Sequence, residues 1–253
     1  MSAGKVVLVT GGSGHLGAAT ALAFARSGWT VGVHYRQHAQ AAGSVVEAIS
    51  QAGGHAAAFG TDLAGNGADH ASRELMSQLM EQFGRLDAVV NNSADQTTVP
   101  ISELTDSDWQ RMFDANLYAT TRTTRAALEV LAPGGCVVNV SSVEASSAFP
   151  NHAHYAASKA AIESFTRSLA IELGPRGMRA NCVAPGLIAR DGLEQEWPEG
   201  WNWWTESAPN ARPVSAAEVA AVVVFLAGPQ AGGVNGAVVP VDGGWSASAR
   251  VSF

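Results

Sequence analysis

Val6-Val-Leu-Val-Thr10-Gly-Gly-Ser-Gly-His15-Leu-Gly17 sets the fold. The apolar run Val6–Val9 predicts a buried strand, and the apolar pattern Leu16–Ser27 predicts a helix directly after it. The glycines between them predict a tight strand-to-helix turn. Such a turn lets the backbone approach a pyrophosphate while the helix N-terminus offers free N–H groups. A tight turn can also serve packing alone. Its place in the first β-α-β unit favours the phosphate reading.

The same alternation continues outward. Strand-like runs recur at Val6–Val9, Thr30–His34, His55–Phe59, Ala88–Val90, Cys136–Val140, Arg179–Ala184 and Ala237–Val241. Helical patterns fill the intervals at Leu16–Ser27, Ala39–Gln51, Ala68–Phe83, Asp106–Leu131, His154–Leu173 and Ala216–Leu226. Alternating β and α elements predict a parallel sheet covered on both faces, and continuous apolar strands fit that burial. The 253 residues are thus expected to form a single α/β domain around a doubly wound, seven-stranded parallel sheet. Two stretches break the alternation: the polar loop Ser142–Asn151 and the long segment Leu187–Pro213. Loops of that length inside a compact domain are usually functional.

Composition narrows the partners. Hydrophobic residues make up 47% and charged residues 15%, as in an ordinary globule. A net charge of −7 disfavours nucleic acid and anionic membrane. Cys136 and Cys182 lie in apolar runs and read as buried free thiols of a reducing compartment, with no metal site expected. Met1–Lys5 has no signal-peptide shape, and no apolar stretch reaches membrane-spanning length. The expected location is cytoplasmic.

The strand ends carry candidate ligand contacts. No Asp or Glu stands between Trp29 and Ser44, where an acid would bind the ribose 2′-hydroxyl of NADH. Arg36 stands there instead. A guanidinium suits a 2′-phosphate, so the favoured cofactor is NADPH and NADH is second; a solvated loop charge is the alternative for Arg36. Asp62, after the third strand, suits the adenine amino group or a turn cap. Asn91-Asn-Ser-Ala94 lines the C-terminal edge of the fourth strand.

Only two lysines occur, and Lys159 follows Tyr155 by four residues. On a helix that spacing places both on one face. An ammonium beside a phenol favours the phenolate, so Tyr155 is expected to titrate below its ordinary value and to exchange a proton with a carbinol oxygen. Ser142 follows the strand that ends at Val140.

Together these residues resemble the classical short-chain dehydrogenase/reductase family over essentially the whole chain. Thr10–Gly17 fits its glycine turn, Asn91–Ala94 its Asn-Asn-Ala-Gly motif, and Asn116 its helix asparagine. Ser142, Tyr155 and Lys159 fit its catalytic set. Pro185-Gly186 and Val241-Asp-Gly-Gly244 fit its C-terminal signatures. The resemblance implies a Rossmann-type fold and an NADP-dependent reduction of C=O to CH–OH. Tyr155 is then the acid, Lys159 the lysine that lowers its pKa and binds the nicotinamide ribose, Ser142 the holder of the substrate oxygen, and Asn116 a support for a water relay. Gly11, Ser13, Gly14, His15, Leu16, Arg36, Asp62, Leu63, Asn92, Ser93, Pro185, Gly186 and Ile188 fall at cofactor positions. A homotetramer or homodimer through Asp106–Leu131 and His154–Leu173 is also implied. Three departures stand out: His15 replaces the middle glycine, where it either touches phosphate or is an exposed imidazole; Ser93-Ala94 replaces Ala-Gly; Arg190 replaces a threonine.

Leu187–Pro213 matches the family's variable substrate lid. Trp197, Trp201, Trp203 and Trp204 cluster there. Trp197, Trp201 and Trp204 would share one face of a helix, although Pro198 and Gly200 oppose a regular one. Flat walls suit a broad aromatic small-molecule ketone, with Ser142, Glu144, Tyr155, Gly192, Trp197, Trp201 and Trp204 expected around it. Packing of the lid or of a subunit contact is the other reading of the tryptophans. No lysine or arginine stands from Asp191 to Ala211, which disfavours an anionic acyl carrier. The leading expectation is a ketoreductase of polycyclic aromatic polyketides or quinone-like compounds. A 3-ketoacyl or pteridine reductase and a non-catalytic nucleotide sensor are the alternatives.

Overall fold

The computed structural model describes residues 4–147 and 149–248. Met1–Ala3, on which part of the signal-peptide expectation rests, lie outside the described residues. Seven parallel strands form the main sheet: β1 (Val6–Val9), β2 (Thr30–Tyr35), β3 (Ala56–Gly60), β4 (Leu86–Asn91), β5 (Leu131–Val140), β6 (Arg179–Pro185) and β9 (Val238–Val241). Their order is β3-β2-β1-β4-β5-β6-β9. The order reverses between β1 and its two neighbours β2 and β4, and ligands of such sheets bind at the strand C-termini beside that point. A second, small parallel pair joins β7 (Ile188–Ala189) to β8 (Val214–Ser215).

Val6–Val9 is buried along its whole length because both faces of β1 are covered. On one face, α1 (His15–Arg26), α2 (Ala39–Gln51) and α9 (Ala216–Ala227) pack over Val7, Val9, Val31 and Val33. On the other, α3 (Ala68–Phe83), α5 (Ala119–Ala127) and α6 (Ala153–Leu173) pack over Val6, Leu8, Val89 and Val137. Capping boxes start α4 (Asp106–Phe113), at Thr105 with Asp108, and α9, at Ser215 with Glu218.

Apart from the start of β5, strand limits match expectation or differ from it by one or two residues. The larger correction is the helix expected over Asp106–Leu131. It is α4, then a π-helical turn over Asp114–Tyr118, then α5. Leu131 belongs to β5 and pairs with Leu86 across a register shift. Apolar periodicity runs on past Ala127, but Pro133 has no N–H to donate and blocks a helix there.

The Leu187–Pro213 segment is ordered by short elements: β7, α7 (Leu193–Glu196) and α8 (Pro198–Ser207), with β8 following. Pro198 does not prevent α8, because it occupies the first turn, where its missing N–H has no partner to lose. The segment's Trp204 and Ala208 join Val143 and Trp245 in a separate apolar core. Asp242 holds the turn that carries Trp245 by accepting from Gly244 N at 2.9 Å and Ser246 N at 2.8 Å.

Candidate active site

One cavity of about 1640 Å³ runs from the glycine turn to the aromatic lid. Typical ligand pockets hold about 300–1000 Å³, so it has room for a dinucleotide and a second molecule. It is lined by Gly11, Ser13, Gly14, His15, Leu16, Arg36, Asp62, Leu63, Asn92 and Ser93 at one end. Ser142, Glu144, Tyr155, Lys159, Pro185, Gly186 and Ile188 line its middle, and Trp197 and Trp204 its far end. Sequence order thus brings most of the expected residues to one place.

The glycine turn is built for close approach. Gly11 has φ +62°, and a Cβ on Gly17 would stand 2.1 Å from the Gly11 carbonyl oxygen. Asn92 clamps the turn: its Nδ2 donates to Thr10 O at 2.9 Å. His34, which the sequence reading passed over, clamps it from β2. Its Nδ1 accepts from Gly11 N at 3.1 Å, which leaves the proton on Nε2 to donate to Thr61 O at 2.9 Å. Only the neutral ring makes both bonds. Burial lowers the His34 pKa below 6.5, with the Thr61 bond and Asp62 opposing. As pH falls from 6.5 towards that lower value, the unfolded chain takes up more protons than the fold, so stability falls with pH. A His34→Gln variant should therefore show a shallower loss of melting temperature below pH 6.5 than the native chain.

His15 begins α1 and needs no glycine conformation. It is exposed, and its Nε2 lies 2.8 Å from the Ala189 carbonyl, linking the turn to β7. Asp62 accepts from Ala64 N at 3.0 Å, so it caps its turn while lining the cavity. Arg36 is exposed at the cavity rim.

Tyr155 and Lys159 are buried at 4% and 2% exposure on the cavity wall. Lys159 Nζ donates to Val140 O at 2.9 Å and stands 5.6 Å from the Tyr155 ring centroid. The expected lowering of the Tyr155 pKa does not occur in this state. Burial pushes the phenol up, and Glu144 pushes the same way, while Ser142 and Gln96 oppose both. Burial also lowers Lys159 to about 8. A site this dry disfavours either charge, so Tyr155 is held as a protonated donor. Ser142 Oγ accepts from Glu144 N at 3.2 Å, and its hydroxyl faces the Tyr155 phenol.

Three expected site residues are placed elsewhere. Asn116 is fully buried and outside the cavity lining; its Nδ2 donates to Asp95 O at 3.0 Å and Ser158 Oγ at 3.0 Å, tying the loop after β4 to α6. Trp201 and Gly192 also lie outside the lining, which takes Trp203 and Leu193 instead. Trp197 precedes α8 with φ −142°, so the helical one-face spacing does not apply to it. Trp204 is 2% exposed and stacks on Trp245 at 5.3 Å and 14°. A Cβ on Gly186 would meet Trp204 Cζ2 at 2.4 Å, so that glycine is needed for the packing. Among the described residues, no group of three or more His, Cys, Asp or Glu could hold a metal, and no helix is long and apolar enough to cross a membrane. Cys136 and Cys182 are buried and free, with burial raising their pKa values to about 11 and about 12.

Comparison with known proteins agrees with this fold. Residues 13–246 match the family model described as enoyl-(acyl carrier protein) reductase. A hydroxynaphthalene reductase of Aspergillus fumigatus is 37% identical over 250 residues, covering 92% of this chain and 89% of its own. The structure of the angucycline C-6 ketoreductase LanV with bound NADP superposes with a TM-score of 0.91 at 32% identity, covering 96% of each chain. A short-chain dehydrogenase from Burkholderia cenocepacia in complex with NADP superposes at 0.89 with 33% identity, covering 96% of this chain and 98% of that one.

Proposed function

Because the chain belongs to the short-chain dehydrogenase/reductase family, we propose that it is an NADPH-dependent ketoreductase of polycyclic aromatic polyketide or quinone-like ketones in secondary metabolism. The observation that carries this reading is the buried Tyr155–Lys159 pair on the wall of a cavity whose other end is the glycine turn. The cradle that a Cβ at Gly17 would fill fits a pyrophosphate. Gly11, Ser13, Gly14, His15 and Leu16 hold it there, with Asn92 and Ser93 beside them. Arg36 takes the 2′-phosphate, Asp62 and Leu63 the adenine, Lys159 the ribose, and Pro185, Gly186 and Ile188 the nicotinamide side. A bound nicotinamide supplies the hydride.

The protein's share of the step is proton delivery and orientation. Ser142 donates its O–H to the carbonyl oxygen when substrate enters. Tyr155 then gives its proton to that oxygen as charge develops on it. Lys159, with one N–H fixed on Val140 and a pKa lowered to about 8, is placed to move protons near neutral pH. Trp197 and Trp203 of the lid, with Phe149 of the Ser142–Asn151 loop, wall the substrate against water.

The substrate end supports a neutral ring system. The lid cation that lines the cavity, Arg190, is already paired with Glu196. Glu199 lines the same end, and Glu144 stands beside it at the middle of the cavity. A ketoacyl group on an anionic carrier gains little there, whereas the clustered indoles offer area to a flat ring.

Oxidation of NADPH by the purified protein with 1-tetralone or a larger aromatic ketone tests the reading; a chain that binds NADPH yet reduces no ketone would sink it. In the same assay Arg36→Asp should lower the NADPH-to-NADH ratio of kcat/KM by about tenfold or more, since a repelling carboxylate replaces a cation. An unchanged ratio would place the 2′-phosphate away from Arg36.

A further inference from the structure

Glu144 has two carboxylate oxygens, and the fold uses one. Oε2 accepts from His152 Nδ1 at 2.7 Å. Among the described residues no hydrogen bond reaches Oε1, and Oε1 is not enclosed, so it opens on the cavity that Glu144 lines. The side chain is only 15% exposed. Glu144 N donates to Ser142 Oγ at 3.2 Å, and the His152 ring packs 5.2 Å from the Tyr155 ring, so the carboxylate and its partner stand beside Ser142 and Tyr155. The imidazole is held chiefly by the carboxylate, with the Gln96 backbone as its second polar neighbour.

An acceptor-only group held beside the proton donor of a cavity selects for a donor on the ligand. An ammonium on the ligand would meet Lys159 on the same wall, so a neutral donor fits better. We propose that Glu144, held by His152, accepts a hydrogen bond from a substrate hydroxyl near the reacting carbonyl, so that the preferred substrate is a hydroxylated aromatic ketone. This rests on the ketoreductase reading. A ketone without the hydroxyl leaves Oε1 half-dried and unpaired, and sites of that kind reject the bare analogue. His152 is a positioning residue, acting through the carboxylate.

The test compares 1-tetralone with its 5-, 6-, 7- and 8-hydroxy derivatives. The native chain should favour at least one hydroxy isomer by about tenfold or more in kcat/KM. Glu144→Ala should reduce that preference to about threefold or less. His152→Ala should weaken it, and His152→Asn, whose amide N–H replaces Nδ1–H, should restore it; a merely structural histidine would not alter the ratio between two ketones. NADPH binding by fluorescence shows that each variant is folded. The proposal is overturned if no isomer is favoured by the native chain, or if Glu144→Ala keeps the preference. If NADPH binds and none of these ketones is reduced, the ketoreductase reading falls and this inference with it.

Discussion

Tyr155→Phe should lower carbonyl reduction by about 10²–10⁴-fold, the usual worth of a positioned acid, while leaving NADPH affinity close to native. Only the phenolic oxygen is removed; the ring remains to pack at 4% exposure against His152. The proton cannot come easily from elsewhere. Lys159 is tied to Val140 O, with Nζ 5.6 Å from the centre of the Tyr155 ring. Single-turnover reduction together with fluorescence titration of NADPH checks both halves. A variant that keeps more than about 1% of native turnover removes Tyr155 as the acid.

Trp204→Ala should destabilise the fold by about 3–5 kcal/mol, the range for emptying a buried aromatic site. Trp204 is 2% exposed, stacks on Trp245 and closes against Gly186, so the surrounding backbone has little freedom to collapse into the space. Trp203 is 38% exposed and lines the cavity beside Phe149 at 5.4 Å. Its truncation should cost little stability and should raise KM for an aromatic ketone several-fold. A lost ring stack is worth about 0.5–1.5 kcal/mol beyond its area. Urea unfolding and KM measured on both variants separate the roles. Equal stabilities for the two variants would refute the division between them.

This division shows where sequence reading stopped. Four tryptophans in one segment signalled an aromatic lid, but one-face spacing pointed to Trp201 and missed Trp203 as a wall. Trp197 departs from helical angles, and Trp204 is claimed by Trp245, some forty positions along the chain. The His34 clamp was equally out of reach. Nothing local says that a histidine inside a strand will turn to the glycine loop of the strand beside it.

Sequence alone determined the elements whose cause is local. Continuous apolar runs dictate strands buried on both faces, the glycines after Val9 dictate the turn, and a four-residue spacing puts Tyr155 and Lys159 on one helical face. Tertiary structure decided what depends on distant neighbours. It broke the expected Asp106–Leu131 helix with a π turn and drew Leu131 into β5 beside Leu86. It also reversed the expected shift of Tyr155. The helix spacing brings an ammonium near the phenol, but the surrounding layers strip water from both and bring Glu144 alongside. Desolvation sums over every element packed around a group, so its outcome is set by the assembled site and cannot be read from the spacing of two residues.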